Sequence, residues 1–202
     1  MSTARASLRT SAVAVRAMIV LTLVLGVGYT LLISLIGLAL PAQANGSLLR
    51  DAEGQVVGSW LIGQSFADAD GEALPQYFQP RPSAAGDGYD AAASSGSNLG
   101  PNNADLVAAV EERRARIADR EGVDVADVPA DAVTASASGL DPHISPAYAE
   151  LQVARVAAER GLSAAEVRDL VAAHTTARDL GFLGEPRVKV VELNLALDGV
   201  AR

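Results

Sequence analysis

The sequence predicts an α+β fold, with a single N-terminal transmembrane helix followed by one small mixed α/β domain on the extracytoplasmic side. Three observations carry that reading. Met18 to Leu40 is a run of 23 residues without a charge. Two helices with capping residues at their starts are written between residues 145 and 181. Runs rich in β-branched residues flank them, at Gln55–Ile62 and Arg187–Leu197. A length of 202 residues fits one domain with an appendage.

The apolar run comes first. As a helix it spans roughly 34 Å, enough to cross a hydrocarbon core of about 30 Å with some tilt. Ala42-Gln43-Ala44 fits a small-residue cleavage site, so a removable signal peptide is the competing reading. The apolar region of such a peptide is usually about 7–15 residues long, which favours a retained anchor. Arg5, Arg9 and Arg16 precede the run with no acid among them, which keeps the N-terminus in the cytoplasm by the positive-inside rule. The expected organisation is a cytoplasmic basic tail over 1–16, a transmembrane helix over 17–40 and an extracytoplasmic domain over 41–202. Gly26, Gly28, Thr30, Ser34 and Gly37 are small enough for a second helix to approach.

Past Leu40, Pro41–Gly46 reads as a polar exit from the membrane and Gln55–Ile62 as a strand, with Gly58 a candidate bulge. Residues 67–103 are rich in Gly, Pro, Ser, Asn and Asp without periodicity; a stretch of that length is either mobile or functional. Asp105–Arg120 is helical, with Leu106, Val110 and Ile117 near one face. Ser145-Pro146 opens a helix that ends at Gly161. Ser163-Ala-Ala-Glu166 is a capping box for another, ending near Gly181. Arg187–Leu197 alternates as a strand whose phase shifts at Val190-Val191, the mark of a bulge or of burial on both faces.

Composition excludes several kinds of chemistry. The chain has no cysteine, hence no disulfide framework, thiolate zinc site or cysteine nucleophile. Aromatics are only 4%, but half the residues are apolar, so a core can form. The net charge of −8 argues against a nucleic-acid partner. Residues 41–202 hold 13 bases and 24 acids, a net of −11.

Motifs are sparse. Gly58-Ser-Trp-Leu-Ile-Gly63-Gln64-Ser65 misses the phosphate-binding loop, because Gln64 stands where lysine is needed. Trp60-Leu61-Ile62 inside it reads as a buried strand end. His143 and His174 lack the spacing of a zinc hydrolase. A spatial Ser/His143/Asp arrangement stays open, although no nucleophile-elbow motif occurs. Tyr148, Gln152 and Arg155 share one helix face, opposite Ala147, Leu151, Ala154 and Ala158. That polar row reads as a solvated face or as a surface for a ligand or partner. On these residues alone the chain is an anchored acidic domain, with an extracellular ligand-binding module using the 77–103 loops as one alternative.

Several phrases in order resemble the C subunit of the Kdp-type potassium-transporting P-type ATPase. They include Gly58-Ser-x-Leu-Ile-Gly-Gln-x-Phe66, Tyr77-Phe-x-x-Arg-Pro-Ser83, Val128-Pro-x-Asp-x-Val-Thr-Ala-Ser-x-Ser-Gly-Leu-Asp141 and Val191-x-Leu-Asn-Leu-Ala-Leu197. His143-Ile-Ser-Pro146 and Gln152-x-x-Arg155-Val-Ala157 belong to the same series. The resemblance covers nearly the whole chain and departs at 67–75 and 119–127.

It implies a non-catalytic subunit of a high-affinity ATP-driven potassium uptake complex in the plasma membrane. Its partners would be a channel-like potassium-binding subunit, a P-type ATP-hydrolysing subunit and a small membrane peptide. The resemblance further implies a role in assembly and as a catalytic chaperone that raises the pump subunit's affinity for ATP, the one nucleotide implied. A Ser/Gly-plus-Gln element linked to nucleotide would map onto Ser136, Ser138, Gly139 and Gln152. Tyr148 and Arg155 are the partner-facing candidates. A domain outside the membrane cannot touch cytoplasmic ATP, so the charge asymmetry favours a structural and allosteric subunit at the outer mouth of the potassium path. There its acidity would raise local K⁺ over about 8 Å.

Overall fold

The computed structural model describes residues 2–200. Residues 1, 201 and 202, and the side chain of Arg5 in the basic tail, lie outside that part. The chain divides into two compact units at Ser47/Leu48.

The first unit is helical: α1 (Ser2–Leu21), a π-helical stretch at Thr22–Gly28, α2 (Tyr29–Ala39) and a short α3 (Pro41–Ala44). Ser7–Ala39 is long and apolar enough to cross a membrane. Two of its hydroxyls, those of Thr30 and Ser34, are satisfied within the helix. Thr30 Oγ1 donates to the Gly26 carbonyl and Ser34 Oγ to the Thr30 carbonyl, each at 2.8 Å, so neither needs water inside a bilayer.

The second unit opens with a two-stranded antiparallel sheet, β1 (Leu48–Arg50) and β2 (Val56–Ser59). β1 follows the expected polar exit at Pro41–Gly46, the first four residues of which are helical. The register slips opposite Leu49/Arg50, so Val57 is the extra residue and the irregularity lies beside Gly58. Then come α4 (Ala104–Glu121), a 3₁₀ turn at Val125–Asp127 and a short α5 (Ala130–Val133). The last part holds β3 (His143–Ile144), α6 (Pro146–Arg160), α7 (Ala164–Ala173), β4 (Thr175–Thr176), β5 (Arg187–Lys189) and α8 (Val190–Val200). β5 lies between β3 and β4, antiparallel to both.

Local chemistry sets the helix ends. The Asn103 side chain accepts from the N–H groups of Asp105 and Leu106, and Gly122 closes α4 in the left-handed conformation. Ser145 caps α6, accepting from Tyr148 N–H at 3.0 Å, with Pro146 at its first turn. Asp131 fixes that cap by accepting from both the Ser145 N–H and its hydroxyl. Ser163 and Glu166 form the reciprocal capping box of α7.

Two helix boundaries differ from the sequence reading. α7 ends at Ala173, not near Gly181; residues 178–185 instead form a hairpin closed by an Arg178–Glu185 ion pair. The expected strand over Arg187–Leu197 is a strand only to Lys189, and α8 follows. Val190, Val191, Leu193, Asn194 and Leu197 are buried, which is a helical spacing, so the phase shift marks a change of element rather than a bulge.

The core joins α4, α5, α6, α7, α8 and the β3–β5–β4 sheet through residues such as Ile117, Val133, Val153, Val156, Val188 and Leu193. Phe78, from the Gly/Pro-rich stretch, is fully buried among them. That stretch is therefore part of the scaffold. Asn194 explains how an irregular segment tolerates burial: its Oδ1 accepts from Phe78 N–H and its Nδ2 donates to the Phe78 carbonyl, both at 2.9 Å. Asn194→Leu keeps the volume but strips both partners from a buried peptide. We expect it to lower stability by about 2–6 kcal/mol, from two unsatisfied groups at about 1–3 kcal/mol each, measured by denaturant unfolding of the second unit in the detergent-solubilised chain.

Candidate functional site

The row Tyr148, Gln152 and Arg155 on α6 faces inward. Tyr148 and Gln152 are buried, whereas Ala147, Ala154 and Ala158 are exposed and Leu151 half-buried. The expected solvated or partner-facing surface is thus reversed. The reason is a partner far away in sequence: the 75–81 segment lies along this face and engages Gln152 and Arg155, while the Tyr148 hydroxyl meets Arg120.

Gln152 Oε1 accepts from Gln79 N–H at 2.7 Å and Nε2 donates to the Gln79 carbonyl at 3.2 Å. Arg155 donates to the carbonyls of Pro75 and Tyr77. It also pairs with Glu121 at 3.0 Å. The Glu121 side chain is fully buried at the end of α4 and takes a second ion pair from Arg120 at 2.8 Å. Arg120 Nη2 reaches the Tyr148 hydroxyl at 3.4 Å. Burial pushes the Tyr148 phenol above its usual value against the opposing charge of Arg120, which leaves it protonated and neutral.

The Ser136–Gly139 loop lies elsewhere, in a shallow depression of roughly 660 Å³ that also includes Leu61, Arg81 and Asp141. Gln152 is not among the residues lining it. The loop is stitched to the 83–96 segment. Ser83 Oγ donates to the Gly139 carbonyl at 2.7 Å, and Ser94 Oγ and Ser95 N–H both donate to the Ser138 carbonyl. Gly139 has φ +67°, and a Cβ there would sit 2.6 Å from the Ser95 carbonyl oxygen. Only glycine combines that backbone with that close approach. Ser136 and Ser138 hydroxyls lie 3.4 Å apart, and Ser138 Oγ accepts from Leu140 N–H.

Asp141 closes this loop. Its carboxylate accepts from Arg81 Nη1 at 2.9 Å and from His143 N–H at 3.0 Å, with His143 Nδ1 at 3.2 Å. Arg81 also donates to the Thr134 carbonyl, so one guanidinium ties the 75–81 segment to both ends of the loop. Burial pulls the Asp141 carboxyl up, but the His143 hydrogen bonds and the Arg81 charge outweigh it and hold it below its ordinary value. His174 turns Nδ1 to the Leu170 carbonyl at 2.8 Å. The two histidines therefore serve local structure rather than a shared centre.

A second concavity, of roughly 650 Å³, lies beside α4. Arg113, Arg116 and Arg120 line it from successive turns, with Arg81 and Tyr89 also on its wall. Burial pushes the Tyr89 phenol well above its usual value, and its hydroxyl donates to the Arg81 carbonyl at 2.8 Å. Sequence reasoning missed this wall, Glu121 and Asn194. A lone asparagine among Val190, Val191, Leu193 and Leu197 is the one signal it offered; a glutamate beside the helix-ending Gly122 offered none.

A sequence profile described as KdpC, K⁺-transporting ATPase, c chain, matches residues 11–199. The chain belongs to the KdpC family. Among its relatives, the potassium-transporting ATPase KdpC subunit of Kineococcus radiotolerans is 57% identical over 184 residues, covering 91% of this chain and 90% of that one. The KdpC subunit of Beijerinckia indica is 54% identical over 182 residues, covering 90% and 89%. That of Gemmatimonas aurantiaca is 59% identical over 165 residues, covering 81% and 79%. Family membership places the chain in potassium transport, in the Kdp K⁺-ATPase.

Within this KdpC fold the Asp141 cluster has a signed pH dependence. A carboxyl held below its unfolded value contributes stability that is complete above the ordinary carboxylate range and is lost as pH falls through the folded value. The melting temperature of the second unit is expected to drop below about pH 4. In Asp141→Asn it should be lower at neutral pH and flatter through that acid range, as read by circular dichroism melts.

Proposed function

We propose that this chain is a non-catalytic assembly and regulatory subunit whose second unit lies outside the plasma membrane. The observation that carries this is the charge asymmetry around one span: three arginines before it, none of the 24 acids, and a net of −11 after it. In this reading the span and the outer domain hold together a channel-like potassium-binding subunit, a P-type ATP-hydrolysing subunit and a small membrane peptide. Gly26 and Gly28 lie exposed along the span and Gly37 is half-buried, which supports close packing against a neighbouring helix.

The subunit acts as a catalytic chaperone, raising the affinity of the hydrolysing subunit for ATP. With the domain outside, the effect passes through the membrane by favouring one conformation of the pump, and ATP itself is not touched. Ser136, Ser138, Gly139 and Gln152 then influence nucleotide affinity by keeping the outer domain in shape. The hydrogen bonds of Gln152 to Gln79 and the packing of Gly139 support that role. Tyr148 and Arg155 contribute in the same indirect way, by holding the segment that reaches the surface at Arg81 and Pro82.

Topology decides the reading. A periplasmic reporter fused after Arg202 should be active, and protease added to intact spheroplasts should digest the second unit. Protection until the cells are broken would overturn the orientation. Pump complexes assembled without this chain, or with its span alone, should show a KM for ATP raised by roughly 5- to 150-fold, the range of a coupling free energy of about 1–3 kcal/mol. An unchanged KM would remove the chaperone role while leaving assembly in place.

A further inference from the structure

Trp60 is the chain's only tryptophan, and the structure does not bury it as the sequence led us to expect. Trp60 is 48% exposed and Leu61 63%. They form the corner of a tight turn in which Ser59 and Ile62 bridge and Leu61 N–H donates to Ser59 Oγ at 3.2 Å. That turn continues β2, whose last residue, Ser59, is the register partner of Leu48. Leu48 begins β1 and is 45% exposed. Three large apolar side chains therefore crowd one end of the two-stranded sheet.

The same end is where the chain arrives from the apolar helix. Seven residues, 41–47, separate Leu40 from Leu48. Four are helical, so the linker reaches roughly 17 Å at most, at about 1.5 Å per helical and 3.5 Å per extended residue. One headgroup layer is about 5–8 Å thick, so this end is leashed close to the bilayer surface. Lys189, the only lysine, lies with its ammonium 4.9 Å from the Trp60 ring centroid, and Glu192 holds it at 3.1 Å. A large ring with a polar N–H beside a lysine is the combination that favours the membrane–water interface.

We infer that the Leu48–Trp60–Leu61 rim rests on the lipid bilayer, with Trp60 in the headgroup layer and Lys189 toward lipid phosphates. A deformable lipid surface lies within reach of that short tether, whereas a protein partner would have to supply a pocket matched to these exposed apolar side chains. The inference rests on the reading of Ser7–Ala39 as a membrane span, and the test separates the two.

The full chain is reconstituted into vesicles of phosphatidylcholine with a minority of phosphatidylglycerol, and Trp60 fluorescence is recorded. The expected result is emission shifted to shorter wavelength, and intensity lost when lipids brominated near the top of the acyl chains are used, with less loss from bromines near the bilayer centre. Leu61→Asp, which alters only an exposed corner, should restore water-like, unquenched emission while the chain still floats with the vesicles. Wild-type chain that floats but shows water-like, unquenched emission overturns the rim; so does quenching that appears only when the partner subunits are added. Chain that does not float overturns the membrane span itself, and the rim with it.

Discussion

Two side-chain amides gripping consecutive peptides hold the second unit together. Gln152 from α6 brackets Gln79, and Asn194 from α8 brackets Phe78. A carboxamide offers one donor and one acceptor at the spacing of a peptide edge, so it can take the place of a neighbouring strand. The 75–81 segment belongs to no sheet and no helix, yet it carries fully buried Phe78 and nearly buried Gln79. Without the amides its buried N–H and C=O groups would each cost about 1–3 kcal/mol. With them, an irregular segment ties α6 to α8.

The arginines extend the same principle. Arg155 serves Pro75 and Tyr77, Arg160 serves the Gln76 carbonyl at 2.9 Å, and Arg81 serves Thr134. Several of the few bases are thereby spent on internal carbonyls and on inward-facing Glu121 and half-buried Asp141. Acids such as Asp105, Glu111, Glu112, Asp124, Glu159 and Asp169 stay exposed. The solvent-facing surface is consequently more negative than composition alone suggests.

Legibility in the sequence varied with the range of the interaction. The caps at Ser145, Ser163 and Gly161 were readable because a cap and its partner lie within four residues of each other. The α8 region misled because Val188/Val190 and Leu193/Leu195/Leu197 fit an alternating pattern, while the helical burial at Val190, Val191, Leu193, Asn194 and Leu197 fits equally well. Trp60 misled for a different reason: size and hydrophobicity argue for burial, but a tight turn puts its corner residues outside the sheet.

By itself, the sequence determined the long apolar helix, the charge bias around it, most helix starts and the family, since each is written in contiguous residues or short spacings. Tertiary structure alone decided which face of α6 is the interior. Gln152 lies 73 positions from its partner Gln79, and Asn194 lies 116 from Phe78. A polar side chain points outward unless the fold brings it a partner, and only the folded chain delivers one across such separations.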